Sequence, residues 1–208
     1  MISSLHYISQ GKDQAAHLTN TIRMLEAGAN WIQLRLKEMP EQEILETALS
    51  AKNACLQYGA KLIINDYPEI AKASDVDGVH LGKDDMSPIE ARKILGANKI
   101  IGGTANTLED CLRLLHAGVD YIGLGPLRFT TTKQKLSPIL GFDGYEQLLG
   151  TYLKDERAVP VIAIGGVVTE DIPILKGIGL HGVAISGLLT NAEKPELVAN
   201  EIIECLKN

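Results

Sequence analysis

Short apolar runs alternate with helical patterns along the whole chain, and this alternation restricts the possible folds more than any other feature of the sequence. Runs of this length and composition are typical of buried strands. Eight of them occur, over residues 5–8, 31–36, 61–64, 78–81, 99–102, 121–124, 161–164 and 182–185.

The segments between these runs have the spacing of amphipathic helices. In one of them, Ile44, Ala48, Ala51 and Cys55 return to the same helical face. Eight strand–helix units in 208 residues predict an α/β fold, a single-domain (β/α)8 TIM barrel over residues 1–208. A doubly wound open sheet is the alternative, but it would have a Gly-x-Gly-x-x-Gly turn after its first strand, and this chain has Ser-Gln-Gly-Lys-Asp there.

The charge and the cysteines restrict the partners and the compartment. The net charge is −6, whereas a broad nucleic-acid surface needs a basic excess. No apolar run approaches the roughly 20 residues that cross a bilayer. The three cysteines lie far apart in sequence and indicate reduced thiols. We expect a cytoplasmic protein that acts on small molecules, without nucleic acid or membrane partners. The sequence leaves open whether the chain forms a homo-oligomer.

Polar side chains alternate with leucines where the second predicted strand ends. Gln33, Arg35 and Lys37 share one face, and the leucines between them share the other. Because the functional residues of such barrels collect at the carboxyl ends of the strands, these three predict a clamp for an anion. The alternative is a solvated strand end with one salt bridge to Glu38.

Two carboxylates follow the third and fourth predicted strands. Asp66 comes directly after Ile63-Ile64-Asn65, and Asp85 lies shortly after His80-Leu81-Gly82. Mg²⁺ takes one or two carboxylates and completes its shell with water and phosphate oxygens, so the pair predicts a magnesium site. Alternatively, each aspartate caps the helix that follows it.

Phosphate-binding features follow the later strands. The long segment of residues 127–138 carries several hydroxyls and cations and is predicted to be a lid over bound phosphate. Gly165-Gly166 and Ile185-Ser186-Gly187 follow the last two predicted strands, the usual place for a phosphate site in such barrels.

Together these motifs resemble the thiamine phosphate synthase family. The resemblance runs in order over residues 31–187 and consists of Gln33-x-Arg35-x-Lys37, Ile63-Ile64-Asn65-Asp66, Gly78-Val79-His80-Leu81-Gly82 with Asp85, Gly125-Pro126 with Thr130-x-Thr132-Lys133, and Ala163-Ile164-Gly165-Gly166. It implies a (β/α)8 barrel that uses Mg²⁺ to join hydroxymethylpyrimidine diphosphate to thiazole phosphate, with release of diphosphate.

The resemblance also implies roles for individual residues. The pyrimidine diphosphate would be held by Gln33, Arg35, Lys37, Asn65 and Lys133, of which Arg35, Lys37 and Lys133 would be catalytic through the leaving group. Asp66 and Asp85 would bind Mg²⁺. The thiazole phosphate would be held by Thr130, Thr132, Gly166, Ile185 and Ser186.

The chain departs from the usual family pattern at a few positions. Thr104, also expected to bind substrate, stands where the family usually has serine. Further departures are Tyr67, Asn106 and Arg128-Phe129. Two alternative functions stay open: a thiazole tautomerase of the related barrel family, and a non-catalytic barrel that binds a phosphorylated ligand.

Overall fold

Eight parallel strands close into a barrel within residues 1–129 and 138–207, the residues that this computed structural model describes. Each strand pairs with its neighbours in sequence, and the first pairs with the last. The strands are Leu5–Ile8 (β1), Trp31–Leu34 (β2), Lys61–Asn65 (β3), Gly78–Leu81 (β4), Ile100–Ala105 (β5), Tyr121–Leu124 (β6), Val161–Ile164 (β7) and Gly182–Ile185 (β8). The predicted (β/α)8 barrel is confirmed.

Helices follow the strands and cover the outside of the barrel. Their bounds are Gln14–Glu26 (α1), Glu41–Gln57 (α2), Pro68–Ala73 (α3), Pro88–Leu95 (α4), Leu108–His116 (α5), Gly141–Tyr152 (α6), Ile172–Gly177 (α7), Gly187–Thr190 (α8) and Pro195–Lys207 (α9). A short 3-10 helix, Thr169–Asp171, precedes α7. Helix α4 starts with a capping box of Ser87 and Glu90, which satisfies two backbone donors of its first turn.

The main core lies between the strands and the helices. Leu34 and Leu36, the leucines between the polar residues of β2 and its extension, are both buried there. Ile44, Ala48 and Ala51 of α2 pack into the same cluster, as their helical spacing predicts. Alternate residues of each strand therefore face outward, and the others are left to fill the barrel or line its mouth.

An aromatic layer fills the bottom of the barrel. The rings of His6 and Trp31 are stacked with centroids 4.3 Å apart, and Tyr121 meets both edge-on. Gly102 leaves room for this layer, since a Cβ there would lie 2.2 Å from the Tyr121 ring.

Three strands differ in length from the prediction. Strand β3 continues one residue further, to Asn65. Strand β2 ends at Leu34 rather than residue 36, because the N–H of Arg35 donates to the Ser9 hydroxyl instead of continuing the ladder. Strand β5 continues to Ala105, three residues past the predicted end. Its glycines weaken the strand pattern in the sequence. Gly103 is needed in the folded barrel because Leu114 occupies the space that a side chain at this position would fill.

The cysteines are free, and Cys55 and Cys111 are buried in the core. Burial raises the pKa of both thiols to about 12, so they behave as small apolar side chains. In the part of the chain that the structure describes, no helix has the length and apolar character needed to cross a membrane.

Candidate active site

A cavity of about 1100 Å³ opens at the carboxyl ends of the strands. Every predicted site residue within the described part of the chain lines it, namely Gln33, Arg35, Lys37, Asn65, Asp66, Asp85, Thr104, Gly166, Ile185 and Ser186. Thr130, Thr132 and Lys133, and most of the predicted lid, lie outside the described residues. The structure thus brings together residues from six separate strand ends, and their individual roles stay predictions.

One wall of the cavity carries cations. Arg35 is half-buried, and burial lowers the pKa of its guanidinium, an effect that Asp66 opposes. Among residues 1–129 and 138–207, the Arg35 guanidinium has no hydrogen-bond or ion-pair partner. Lys37 is more exposed, and its Nζ lies 2.7 Å from Oδ2 of Asp66. A partly desolvated guanidinium of this kind is stabilised when an anion binds to it.

Two carboxylates stand beside these cations. Asp66 has a backbone φ of 72°, a left-handed conformation that a non-glycine residue adopts at a cost and that is concentrated at functional sites. The N–H of Gly82 donates 2.6 Å to Oδ2 of Asp85 and holds that side chain against Asp66. Burial and the neighbouring Asp66 carboxyl raise the pKa of Asp85 to about 6.

The contact between the two carboxyls has the opposite effect on the pKa of Asp66. Burial raises the pKa of Asp66, but hydrogen bonds with Asp85 and Lys37 outweigh it, so the pKa stays below its usual value. The alternative that the two aspartates cap helices is wrong. Tyr67 occupies the N-cap position of α3, and Ser87 caps α4.

The residues present fit Mg²⁺. Among the described residues, no group of three or more His, Cys, Asp or Glu side chains could enclose a metal. Mg²⁺ does not need such a group, since it is held by one or two carboxylates together with water and substrate phosphate. Two carboxylates that share a space and repel each other enough to perturb a pKa have the donor chemistry for a hard cation.

The floor of the cavity is a short hydrogen-bonded chain. His80 on β4 lies 3.0 Å from the hydroxyl of Tyr121 through Nδ1 and 3.0 Å from the hydroxyl of Thr104 through Nε2. Thr104 is thereby oriented at the cavity surface. His80 is therefore a hydrogen-bonded residue inside the barrel.

The opposite wall is formed by backbone. In the closed order of eight strands, β7 lies four strands away from β3, so the ends of these two strands face each other across the barrel. Gly165 and Gly166 follow β7 with φ values of 87° and 72°, and both line the cavity. Ser186 lies beside them at the end of β8, where its hydroxyl donates 2.7 Å to the Ile8 carbonyl.

Sequence reasoning missed an ion pair behind this wall. Arg128 binds both carboxylate oxygens of Asp171, at 2.5 and 2.8 Å, and also donates to the carbonyl of Gly166. The only sequence signal was that Arg128 departs from the pattern of the family that the motifs resemble. Nothing in the sequence connects it to a carboxylate 43 residues away.

Comparison with known proteins shows the family of the chain. Residues 5–189 match the model of a family described as thiamine monophosphate synthase. The chain belongs to this family. The thiamine-phosphate synthase of Bacteroides thetaiotaomicron is 45% identical over 200 residues, which cover 96% of each chain. That of Flavobacterium johnsoniae is 46% identical over 206 residues, covering 99% of this chain and 97% of its relative.

A solved structure extends the match to three dimensions. Thiamine phosphate pyrophosphorylase from Pyrococcus furiosus superposes with a TM-score of 0.85 at 27% identity, covering 98% of this chain and 95% of that one. The family predicted from the motifs is confirmed, and with it the prediction of an enzyme of the transferase class.

Proposed function

We propose that this member of the thiamine monophosphate synthase family joins hydroxymethylpyrimidine diphosphate to thiazole phosphate. The observation that carries the proposal is a single cavity with two unlike anion-binding walls. Arg35 and Lys37 supply cations on one side, and the Gly165-Gly166 turn supplies backbone on the other. A reaction between two phosphorylated substrates needs two such sites, separated by room for the reacting rings.

In the proposed mechanism, the bond between the pyrimidine methylene carbon and the diphosphate oxygen breaks first. Its electron pair leaves with diphosphate, and the electron-rich aminopyrimidine stabilises the cation that remains. The lone pair of the thiazole nitrogen then forms the new carbon–nitrogen bond. No enzyme nucleophile takes part, so the protein contributes alignment, charge neutralisation and exclusion of water.

The residues of the chain divide these tasks. Arg35, Lys37 and Lys133 offset the negative charge that builds up on the departing diphosphate. Gln33 and Asn65 orient the pyrimidine from the buried end of the cavity. Thr104 contributes a further substrate contact. The thiazole phosphate is held by Thr130, Thr132, Gly166, Ile185 and Ser186.

Asp66 and Asp85 are the proposed ligands of Mg²⁺. The bound ion would supply positive charge next to the diphosphate and thereby make it a better leaving group. Their place beside Lys37, at the same end of the barrel as Arg35, supports this assignment. The three free cysteines support the further proposal of a cytoplasmic location.

A turnover assay tests the proposed function. The purified chain, given both substrates and Mg²⁺, should release diphosphate and thiamine phosphate in equal amounts, and omission of either substrate should abolish both. Isomerisation of the thiazole alone would indicate the tautomerase alternative. Binding of the phosphorylated ligands without conversion would indicate the non-catalytic alternative, and either result contradicts the proposal.

A further inference from the structure

Leu127 and Arg128, which follow β6, donate hydrogen bonds to three consecutive backbone carbonyls, those of residues 164–166 at the end of β7 and in the turn after it. The N–H of Leu127 donates a hydrogen bond of 3.0 Å to the carbonyl of Ile164, and the N–H of Arg128 donates one of 3.0 Å to the carbonyl of Gly165. The guanidinium of Arg128 donates a hydrogen bond of 2.7 Å to the carbonyl of Gly166. All three carbonyls therefore point toward the segment that contains Arg128.

This arrangement fixes where the amide groups of the turn point. A trans peptide carries its N–H and its carbonyl on opposite edges, so the amides of Gly165, Gly166 and Val167 point away from Arg128. All three residues line the cavity. Within residues 1–129 and 138–207, no hydrogen bond uses the N–H of Gly166 or of Val167. Two free amides on a left-handed turn form a suitable concavity for an anion.

Asp171 holds Arg128 in this position. Asp171 is buried, with 4% of the residue exposed. Its carboxylate binds the guanidinium through both oxygens and also accepts a hydrogen bond of 2.8 Å from the N–H of Val168. Burial raises the pKa of Asp171, but the hydrogen bonds from Arg128 and Val168 outweigh it and hold the pKa below its usual value. The planar, bidentate geometry fixes the guanidinium in orientation as well as in distance.

The stem of Arg128 also packs tightly on the turn. A Cβ at Gly166 would lie 2.4 Å from the Arg128 Cγ, so the two residues are in contact along both backbone and side chain.

We propose that Arg128 and Asp171 are a positioning pair that holds the amides of Gly166 and Val167 in place to bind the phosphate of the thiazole substrate. This inference rests on the proposed function for the identity of that substrate. Neither side chain touches the reacting atoms. The pair acts through the orientation of the turn and therefore governs the affinity for one substrate and not for the other.

The test compares Arg128→Ala, Arg128→Lys, Asp171→Asn and the double variant Arg128→Ala/Asp171→Asn with the unaltered chain. The loss of a charge-assisted hydrogen bond predicts a rise of about tenfold in the KM for thiazole phosphate. The KM for pyrimidine diphosphate and kcat at saturation should change by less than about threefold. Arg128→Lys should recover part of the affinity, and the double variant should be no worse than Arg128→Ala, because the two residues act as one unit.

Arg157 provides a matched control. It forms a similarly short ion pair with Asp155, with Nη2 2.7 Å from Oδ2, in the segment before β7 and away from the cavity. Arg157→Ala should leave both KM values unchanged. If Arg128→Ala does not fold at the assay temperature, Arg128→Lys and Asp171→Asn carry the comparison.

Calorimetric titration with thiazole phosphate alone separates this inference from the proposed function. Binding by the unaltered chain without any turnover would contradict the proposed function only. Equal binding by the unaltered chain and by Arg128→Ala, or an equal rise in both KM values, would overturn the positioning pair.

Discussion

The side-chain amide of Gln33 donates a hydrogen bond of 2.8 Å to Oδ1 of Asn65, which joins the ends of β2 and β3 inside the barrel. Both side chains are buried, and both face the cavity. Each amide satisfies one group of the other and keeps its remaining donors and acceptors for a ligand. In the proposed function, these remaining groups would contact the edge of the pyrimidine ring.

Replacement of Gln33 by leucine should weaken the binding of pyrimidine diphosphate. Loss of one buried hydrogen bond predicts a rise in its KM of about five- to tenfold, with little change for thiazole phosphate. Gln57→Leu, at the exposed end of α2, is the control. Steady-state kinetics with each substrate varied in turn measure the effect, and equal changes in both KM values would contradict it.

Asp66→Asn and Asp85→Asn should both raise the Mg²⁺ concentration needed for half-maximal activity. We expect kcat to fall on the order of a hundredfold at moderate Mg²⁺, because less positive charge reaches the leaving diphosphate. Asp75→Asn is the control, since Asp75 pairs with Lys52 and Lys99 on the outside of the barrel. Full activity of Asp66→Asn in trace Mg²⁺ would rule out the metal role.

Gly166→Ala should impair binding of thiazole phosphate more than it impairs folding. Its Cβ would meet Arg128 at 2.4 Å, so the turn must shift. Gly118→Ala is a matched control, because Gly118 has nearly the same φ, 74° against 72°, and open space around its Cβ position. Both variants should lose similar free energy of unfolding from the strained backbone, on the order of 1 kcal/mol. Calorimetry should show loss of thiazole phosphate binding in Gly166→Ala alone.

Lys133→Ala should lower kcat more than it raises the KM for pyrimidine diphosphate. The prediction rests on the sequence motif, and its reason is that a cation beside the leaving group interacts more strongly as negative charge develops. Lys135→Ala, two residues further along, is the control. A variant that keeps its kcat would remove Lys133 from the catalytic residues.

The alternation of strands and helices was sufficient to predict the barrel and to place most of the predicted site residues at its cavity. Gln33, Arg35 and Lys37 could be placed because period-two geometry puts them on one face. Gly165 and Gly166 could be placed because they end a strand. Such features are local in the chain, and local features are visible in a sequence.

Features that depend on distant contacts could not be predicted. The left-handed backbone of Asp66 and its contact with Asp85 depend on two loops that meet only in the folded barrel. The pairing of Arg128 with Asp171 is of the same kind. The true end of β5 depends on side chains from a helix and a neighbouring strand that fill the space above its glycines.

Acidic conditions should destabilise the fold through His6. Burial lowers the pKa of His6 to about 3, whereas a histidine in the unfolded chain titrates near 6.5. Between these pH values only the unfolded chain takes up the proton, so the free energy of unfolding decreases as the pH falls. The contribution of His6 should be about 1.4 kcal/mol per pH unit.

His6→Phe should reduce this pH dependence, because phenylalanine can stack on Trp31 but cannot take up a proton. Urea unfolding at several pH values from 7 to 4 measures the slope. A lower stability of the variant at pH 7 is expected from the lost hydrogen bond to the Ser3 carbonyl and does not affect the comparison of slopes. Identical slopes for the two proteins would show that His6 does not contribute.

The aromatic layer of His6, Trp31 and Tyr121 also determines how molecules enter and leave. These rings close the bottom of the barrel. Molecules therefore enter and leave the described cavity through its mouth at the carboxyl ends of the strands. Both substrates and both products of the proposed reaction would then pass through this one opening. We therefore expect the substrate that lies deeper in the cavity to bind first and the product that lies deeper to leave last, so that the aromatic layer makes binding and release ordered.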